Sequence, residues 1–251
     1  MIRKLIGVGW IIIAIFIGCG FFLALNPISR SVSWENEKKL AQFLKINYDL
    51  NECRHNFSGQ KILEKLIKRI YPLDESDKKF SINVKILKSD EVNAFASLGG
   101  EIRINSALLE SANSGEELAG VLAHEIEHVS QRHIIESIFL HFLTFESLNL
   151  FLGKDSSATA WLKYFSHITF SKEKEAQADR QAFIRLQKAQ VSNQGIRDFF
   201  MRMENEKSFA NFISDHPSNV SRIKMAQSFS NEDSYQVLNK DEWKILKNYC
   251  H

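Results

Sequence analysis

Apolar residues recur every three or four positions along most of the chain, which is the spacing of an amphipathic helix. Between Val32 and Ile70 this spacing predicts helix, with a break near Asn51 to Gly59. The chain of 251 residues holds only 3 Pro and 11 Gly, so few positions favour turns. We therefore expect an α+β fold that is predominantly helical.

A short stretch in the middle of the chain follows the period of a β-strand instead. Ile82, Val84 and Ile86 alternate with Asn83, Lys85 and Leu87, a period of two that predicts a strand. Two further strand-like segments, 93–97 and 101–105, flank Leu98-Gly99-Gly100, and this arrangement is typical of a hairpin. We expect a small sheet in which one strand forms an edge.

The segment from Ser114 to Gln131 has the marks of one continuous helix. Ser114 and Glu117 have the spacing of a capping box, and an apolar run at helical spacing follows them. Inside this helix, residues 124–128 read His-Glu-Ile-Glu-His, which is the motif HExxH.

The spacing of this motif predicts a zinc site. His124 and His128 lie one helical turn apart on the same face, so both imidazoles can bind one zinc ion. Glu125 is displaced round the helix toward a water molecule on that ion. Two surface histidines on an amphipathic helix are the plainer alternative.

The N-terminus carries a second strong signal. Arg3 and Lys4 precede an apolar run of 21 residues from Leu5 to Leu25. At about 1.5 Å per residue such a helix crosses a hydrocarbon core roughly 30 Å thick. We expect an uncleaved membrane anchor, with a cleaved signal peptide or a lipoprotein signal at Cys19 as alternatives. The early positive charges place the body on the non-cytoplasmic side, in a bacterial periplasm by this interpretation.

A second apolar stretch, residues 134–152, is not expected to span a membrane. Glu136, His141 and Glu146 interrupt it, and charged or polar groups make spanning costly. We expect a helix that is buried in the core, or one that contacts the bilayer surface or a hydrophobic substrate.

Charge and cysteine content add two weaker points. The chain has 32 basic and 30 acidic side chains without a concentrated basic face, so we expect no nucleic acid partner. Cys53 and Cys250 lie outside the apolar N-terminal run. They either pair, as they can in an exported protein, or are two unrelated thiols.

A catalytic zinc site needs a third protein ligand, and the residues after HExxH exclude one source. The pattern HExxHxxGxxH requires a glycine and a third histidine where this chain has Gln131 and Ile134. His133 lies five residues beyond His128, well round the helix, so we do not expect it to bind the metal.

A carboxylate from a second helix is the other source. The segment that opens at Ser171 places Glu175 and Asp179 four residues apart on one face. The small side chains of Ala176 and Ala178 permit close approach to a neighbouring helix. On these residues alone, a solvated charged face would be the ordinary interpretation.

Four segments, in this order and spacing, resemble one known family. They are residues 93–102, residues 124–133, the segment Ser171–Asp179, and Asp215-His216-Pro217 with Arg222-Ile223. Together they resemble the HtpX and CAAX-prenyl-protease type of zinc metallopeptidase, a group of membrane-associated gluzincins. Lys172 stands where Arg is commoner in that family, and only one apolar span is evident, as in its compact single-anchor members.

This resemblance implies the metal site and its immediate partners. One Zn²⁺ per chain is expected on His124, His128 and Glu175. Asp179 is expected to accept a hydrogen bond from a ligand histidine and so fix its tautomer. Glu125 is expected to act as the general base.

The resemblance also places His216 and Arg222 near the metal. His216 has three possible roles: it hydrogen-bonds the reacting group, it fills the fourth metal position and silences the enzyme, or it only caps a helix. Arg222 is expected to pair with a carboxylate near the site.

The resulting hypothesis is a zinc metalloendopeptidase that hydrolyses unfolded or damaged proteins of the cell envelope. The strand around Gly99, Gly100, Glu101 and Ile102 is expected to offer unpaired backbone groups to an extended polypeptide substrate. A membrane-tethered, chaperone-like binding protein with latent or structural zinc is the rival hypothesis, and a zinc hydrolase of non-peptide substrates is a third.

The same interpretation divides the chain into four parts. These are the membrane segment at residues 1–27, a helical N-terminal part of the peptidase at 28–80, the zincin-like core at 81–230 and a tail at 231–251.

Overall fold

Helices make up most of the described chain, as the scarcity of proline and glycine predicts. The computed structural model describes residues 31–43, 51–53, 56–72, 80–141, 163–205, 209–216, 220–229 and 234–250. Its helices, in chain order, are α1 Trp34–Phe43, α2 Phe57–Ile70, α3 Ser106–Ser111, α4 Gly115–Ser130, α5 His133–His141, α6 Lys172–Lys188, α7 Gln194–Asn205, α8 Ala210–Asp215, α9 Val220–Ser228 and α10 Lys240–Lys247.

Three strands form one small mixed sheet. They are β1 Asn83–Leu87, β2 Ala94–Ala96 and β3 Glu101–Asn105, in the spatial order β1-β3-β2. β2 and β3 are antiparallel, which confirms the predicted hairpin, whereas β1 runs parallel to β3 on its other side. The sheet thus places its middle strand directly after the hairpin turn.

The prediction of unpaired backbone around Gly99, Gly100, Glu101 and Ile102 is wrong for the strand residues. Glu101 pairs with Asn83, and Ile102 pairs with both Val84 and Ala96. Alternation of side chains shows that a segment is a strand but does not reveal its neighbours. The edge strand next to the HExxH helix is β2 instead.

The hairpin turn depends on two glycines and on a buried carboxylate. Gly99 and Gly100 have φ angles of 77° and 82°, a left-handed conformation that side chains disfavour. Glu37 of α1 accepts a hydrogen bond from the Gly99 backbone at 2.8 Å and also pairs with Arg132. Helix α1 therefore fixes the turn that precedes the middle strand.

Helix α4, which carries HExxH, lies in the interior along almost its whole length. Ser114 caps it by accepting a hydrogen bond from the Glu117 backbone at 3.2 Å. The second bond of the predicted capping box differs, because the Glu117 carboxylate accepts from the backbone amide of Asn113 rather than from that of Ser114. At Gly120 an added Cβ would lie 2.5 Å from Ile196 Cβ, so α7 packs directly on the helix backbone.

Only part of the second apolar stretch, residues 134–141, lies among the described residues. The apolar run Leu5–Leu25 lies outside the described residues, as do residues 142–152 of the second stretch. Ile134 and Ile135 of α5 are buried in the core, as expected for a buried helix. Among the described residues, no helix combines the length and apolar character that crossing a membrane requires.

Cys53 and Cys250 form a disulfide, which decides between the two alternatives for these residues. Their Cα atoms lie 5.2 Å apart although 197 positions separate them in sequence. The bond therefore joins the end of the described chain to the segment beside β1.

Replacing both Cys53 and Cys250 by serine is expected to lower the free energy of unfolding by about 2–5 kcal/mol, because the cross-link restricts a long loop of the unfolded chain. Urea unfolding of the purified protein followed by circular dichroism measures the change. Wild-type protein unfolded under reducing conditions is the control and should match the variant. Equal unfolding midpoints in oxidised wild type and variant would contradict the expectation.

Candidate metal centre and active site

Three side chains from two helices converge on one buried point. His124 and His128 of α4 approach through their Nε2 atoms at 3.0 Å. Glu175 of α6 reaches the same point, with its two oxygens 3.4 Å from His124 Nε2 and 3.3 Å from His128 Nε2. All three side chains are buried.

This geometry fits a tetrahedral zinc ion. Ligand atoms about 2.0–2.1 Å from such an ion lie roughly 3.3 Å from one another, close to the separations of 3.0–3.4 Å seen here. Both carboxylate oxygens of Glu175 are buried and accept no hydrogen bond from the described residues. Two imidazoles and a carboxylate with these spacings are a set of ligands suited to zinc.

The pKa values of His124 and His128 shift in opposite directions. Burial opposes protonation of His124, but the hydrogen bond to Asp179 and the nearby carboxylate of Glu175 outweigh burial and raise its pKa to about 10. Burial lowers the pKa of His128 well below its usual value. Burial also acts to raise the pKa of Glu175, yet the surrounding imidazoles, His216 above all, lower it well below the usual range.

Asp179 and Arg222 hold His124 from behind. Asp179 Oδ1 lies 2.9 Å from His124 Nδ1, the ring nitrogen directed away from the metal point. Arg222 binds both oxygens of Asp179, at 2.5 and 2.7 Å. Its Nη1 also donates to the carbonyl of His216 at 3.2 Å, so one guanidinium connects α6 to the end of α8.

Glu125 lies beside the metal point with a carboxylate that is fully buried. Neither of its oxygens accepts a hydrogen bond from another described residue. Burial raises the pKa of Glu125, although nearby imidazoles and the Ala96 backbone amide oppose that shift. A carboxyl with a raised pKa, one residue after a metal ligand, is suited to accept and return a proton.

His216 occupies a fourth corner of the same site. Its Nδ1 lies 3.2 Å from His124 Nε2 and 3.3 Å from a Glu175 oxygen, and its Nε2 lies 3.6 Å from Glu125. His124, His128, Glu175 and His216 together form a buried group with the composition of a metal site. Burial disfavours the protonated form of His216, but the charges of Glu175 and Glu125 outweigh burial and raise its pKa.

The sequence did not reveal the position of His133. Its Nδ1 lies 3.1 Å from Nδ1 of His128, although a continuous helix would carry it away from that residue. The chain leaves α4 at Gln131 and Arg132, where Arg132 has a φ of 68°, and α5 begins at His133 itself. Burial and the nearby Lys174 lower the pKa of His133 to about 4, so the ring is neutral.

The outer edge of β2 lies on the Glu125 side of the sheet, and Ala94, Phe95 and Ala96 are all buried. Ser97 donates to the Glu101 carbonyl and Asn93 accepts from the Asn105 amide, so the backbone groups of Ala94 and Ala96 face away from β3. The Ala96 backbone amide lies near the Glu125 carboxyl and acts to lower its pKa. Within the described chain, no other strand pairs with this edge.

The sequence around this site matches a known protein family. The sequence pattern of peptidase family M48 matches residues 58–230, more than half of the chain. The chain belongs to peptidase family M48. As a member of this family of zinc-dependent metallopeptidases it is a metalloendopeptidase, and His124, His128 and Glu175 fit the metal that the family uses.

Individual M48 relatives are distant in sequence. A beta-barrel assembly-enhancing protease of Yersinia pestis is 28% identical over 59% of this chain and 34% of its own length. Metalloprotease YcaL of Escherichia coli is 27% identical over 46% of this chain and 48% of its own length. The mitochondrial metalloendopeptidase OMA1 of Schizosaccharomyces pombe is 25% identical over 96% of this chain and 78% of its own length. The chain thus spans about a third of the length of the assembly-enhancing protease.

Substituting Glu175→Gln is expected to weaken zinc binding by at least about tenfold, because an amide lacks the charge of the carboxylate and outer partners alone have effects of that size. Zinc content after dialysis against a chelator, measured by atomic absorption, tests this. Glu173→Gln on the exposed face of the same helix is the matched control. Retention of zinc by Glu175→Gln at the level of the control would exclude Glu175 as a ligand.

Proposed function

We propose that this M48 metalloendopeptidase cleaves unfolded or damaged proteins of the cell envelope. The observation that carries the proposal is the buried carboxylate of Glu125 beside three metal-binding side chains and the outer edge of β2. A purely structural metal site has no use for such a base. The beta-barrel assembly-enhancing proteases among the relatives are consistent with an envelope role.

Peptide hydrolysis follows from the chemistry of this arrangement. Zinc held by His124, His128 and Glu175 would supply a Lewis acid that makes water a stronger nucleophile near neutral pH. Glu125 accepts a proton from the attacking water and returns it to the departing nitrogen. Asp179, with Arg222 behind it, keeps the Nδ1 proton of His124 in place, so that Nε2 remains free to bind metal.

An extended substrate would add to the edge of β2, which is buried in this structure and has to be uncovered for binding. The outward backbone groups of Ala94 and Ala96 would hydrogen-bond to a polypeptide as an additional strand, beside Glu125. Main-chain recognition of this kind requires a segment that is unfolded or flexible and imposes little sequence preference. Gly99 and Gly100 contribute indirectly, because they form the turn that sets the register of β2 against β3.

We place the catalytic part outside the cytoplasm, anchored to a membrane by Leu5–Leu25. Arg3 and Lys4 before that apolar run favour this orientation. The Cys53–Cys250 disulfide supports it, since disulfides persist in oxidising compartments such as the periplasm. Mass spectrometry of the mature N-terminus distinguishes an anchor from a cleaved signal peptide or a lipoprotein.

The position of His216 favours a second state of the same protein. With Nδ1 within 3.3 Å of two metal-binding side chains, His216 can serve as a fourth ligand and leave no position for water. In that state the protein would hold zinc and bind envelope partners without cleaving them. The binding-protein hypothesis therefore describes a latent form of the peptidase.

Substituting Glu125→Gln is expected to lower kcat on an unfolded, fluorescently labelled casein by about 100- to 10,000-fold, because the general base is lost. Zinc content should stay near one ion per chain. Glu173→Gln is the control for a glutamate change at an exposed position. Persistent turnover by a zinc-loaded Glu125→Gln enzyme would contradict the mechanism.

Substituting His216→Ala is expected to raise kcat/KM on the same substrate several-fold, since it frees the fourth metal position. Zinc affinity should fall at the same time, because one ligand is removed. A decrease in kcat of about 100-fold or more with zinc retained would instead assign His216 to stabilising the reacting group. Each variant is measured at saturating zinc, so that loss of metal does not obscure the rate.

A further inference from the structure

An ion pair at the outer side of α4 begins a chain of hydrogen bonds that runs to the metal ligand His128. Glu127 binds Arg185 of α6 at 2.5 Å through one carboxylate oxygen. Its other oxygen accepts from Gln131 Nε2 at 3.2 Å. Gln131 Oε1 in turn accepts from Gln177 Nε2 at 2.8 Å. The outer half of the chain therefore crosses from α4 to α6 through two side-chain amides.

The inner half of the chain returns from α6 to α4 through His133. Gln177 Oε1 lies 3.4 Å from His133 Nε2, and His133 Nδ1 lies 3.1 Å from His128 Nδ1. His128 and His133 are both buried, and Phe170 stacks on the His128 ring with 4.1 Å between ring centroids. The other ring nitrogen of His128, Nε2, faces His124 and Glu175.

The chemistry of the groups fixes the direction of every bond in this chain. A carboxylate paired with a guanidinium has no proton to donate, so Gln131 must present its NH₂ group to Glu127. The oxygen of Gln131 then faces Gln177, which must present its own NH₂ group. The oxygen of Gln177 is left for His133, which can meet it only with an Nε2–H donor.

The same argument fixes the position of the ring proton on His128. A neutral imidazole that carries its proton on Nε2 has a lone pair on Nδ1. His133 Nδ1 therefore accepts, and His128 donates from Nδ1–H. The one remaining lone pair of His128 is then on Nε2, the nitrogen that points at Glu175.

We propose that Glu127, Gln131, Gln177 and His133 act as positioning residues that fix the tautomer of His128 and thereby present Nε2 to zinc. Reversing any bond in the chain would place the His128 proton on Nε2 and block metal binding. The two histidine ligands are thus oriented by different devices. His124 is held directly by a carboxylate, whereas His128 is held by a neutral imidazole at the end of a relay.

The inference rests on the zinc site of the proposed function, so its test compares zinc affinity among variants of the full chain. Affinity is measured by competition with a chromogenic chelator. His133→Leu removes the acceptor and is expected to weaken zinc binding by about 10- to 100-fold. His133→Asn keeps an acceptor oxygen near the position of Nδ1 and is expected to stay within about threefold of wild type, a magnitude below that range.

A second pair of variants tests the relay without changing a histidine. Gln177→Leu is expected to weaken zinc binding, and Gln187→Leu, an exposed glutamine on the same helix, should leave it unchanged. Nitrogen-15 NMR of the ring of His128 provides a readout that mere packing would not move. In the zinc-free protein, wild type should show the Nδ1–H tautomer, and Gln177→Leu a mixture with Nε2–H.

The outcomes separate this inference from the proposed function. Equal zinc affinity of folded His133→Leu and wild type would overturn the relay but leave the zinc peptidase intact. Equal weakening in His133→Leu and His133→Asn would also overturn it, because the acceptor would then be irrelevant. Failure of wild type to bind zinc would instead refute the proposed function itself. If His133→Leu does not fold, the glutamine pair decides.

Discussion

Buried charge is the constraint on which this structure depends. Glu125, Glu175 and Asp179 are buried around one point, and Arg222 is the guanidinium buried with them. When the histidines are neutral, as metal binding requires, these four side chains carry a net charge of −2, which a divalent cation would balance. Burying unpaired charge costs several kcal/mol per ion, roughly, so each group needs a partner on an adjacent element.

The packing of the helices follows from that need. Helix α6 must lie against α4 because it carries two of the three carboxylates, and α9 must reach the same point because it brings Arg222. Arg222 also binds the carbonyl of His216, so the pairing of charge determines where α8 ends. The same contacts therefore position the catalytic groups and stabilise the packing of the helices.

Local signals in the sequence predict the parts of this structure that depend on neighbouring residues. The cap at Ser114 and the periodicity after it predict α4, and two glycines predict the hairpin turn. The position of β1 beside β3 could not be predicted, because strand pairing is decided by contacts distant in sequence. The contact of His133 with His128 could not be predicted for a related reason: it exists because the chain turns at Arg132 between one helix and the next.

The metal ligands illustrate the same limit. The spacing of His124 and His128 predicts that they share a face, and this needs only the geometry of a helix. Glu175 lies on another helix, and only the resemblance to a known family distinguishes it from a solvated glutamate. Its burial depends on how α6 packs, which no pattern in its own segment encodes.

The disulfide has a consequence for the sheet as well as for stability. Next to Cys53, the backbone of residues 51–53 bonds to the outer side of β1, with Cys53 donating to Ile86 and Lys88 donating to Asn51. This segment covers an edge that would otherwise accept a foreign strand. The bond to Cys250 holds this cover in place and so protects the side of the sheet remote from Glu125 against addition of a foreign strand.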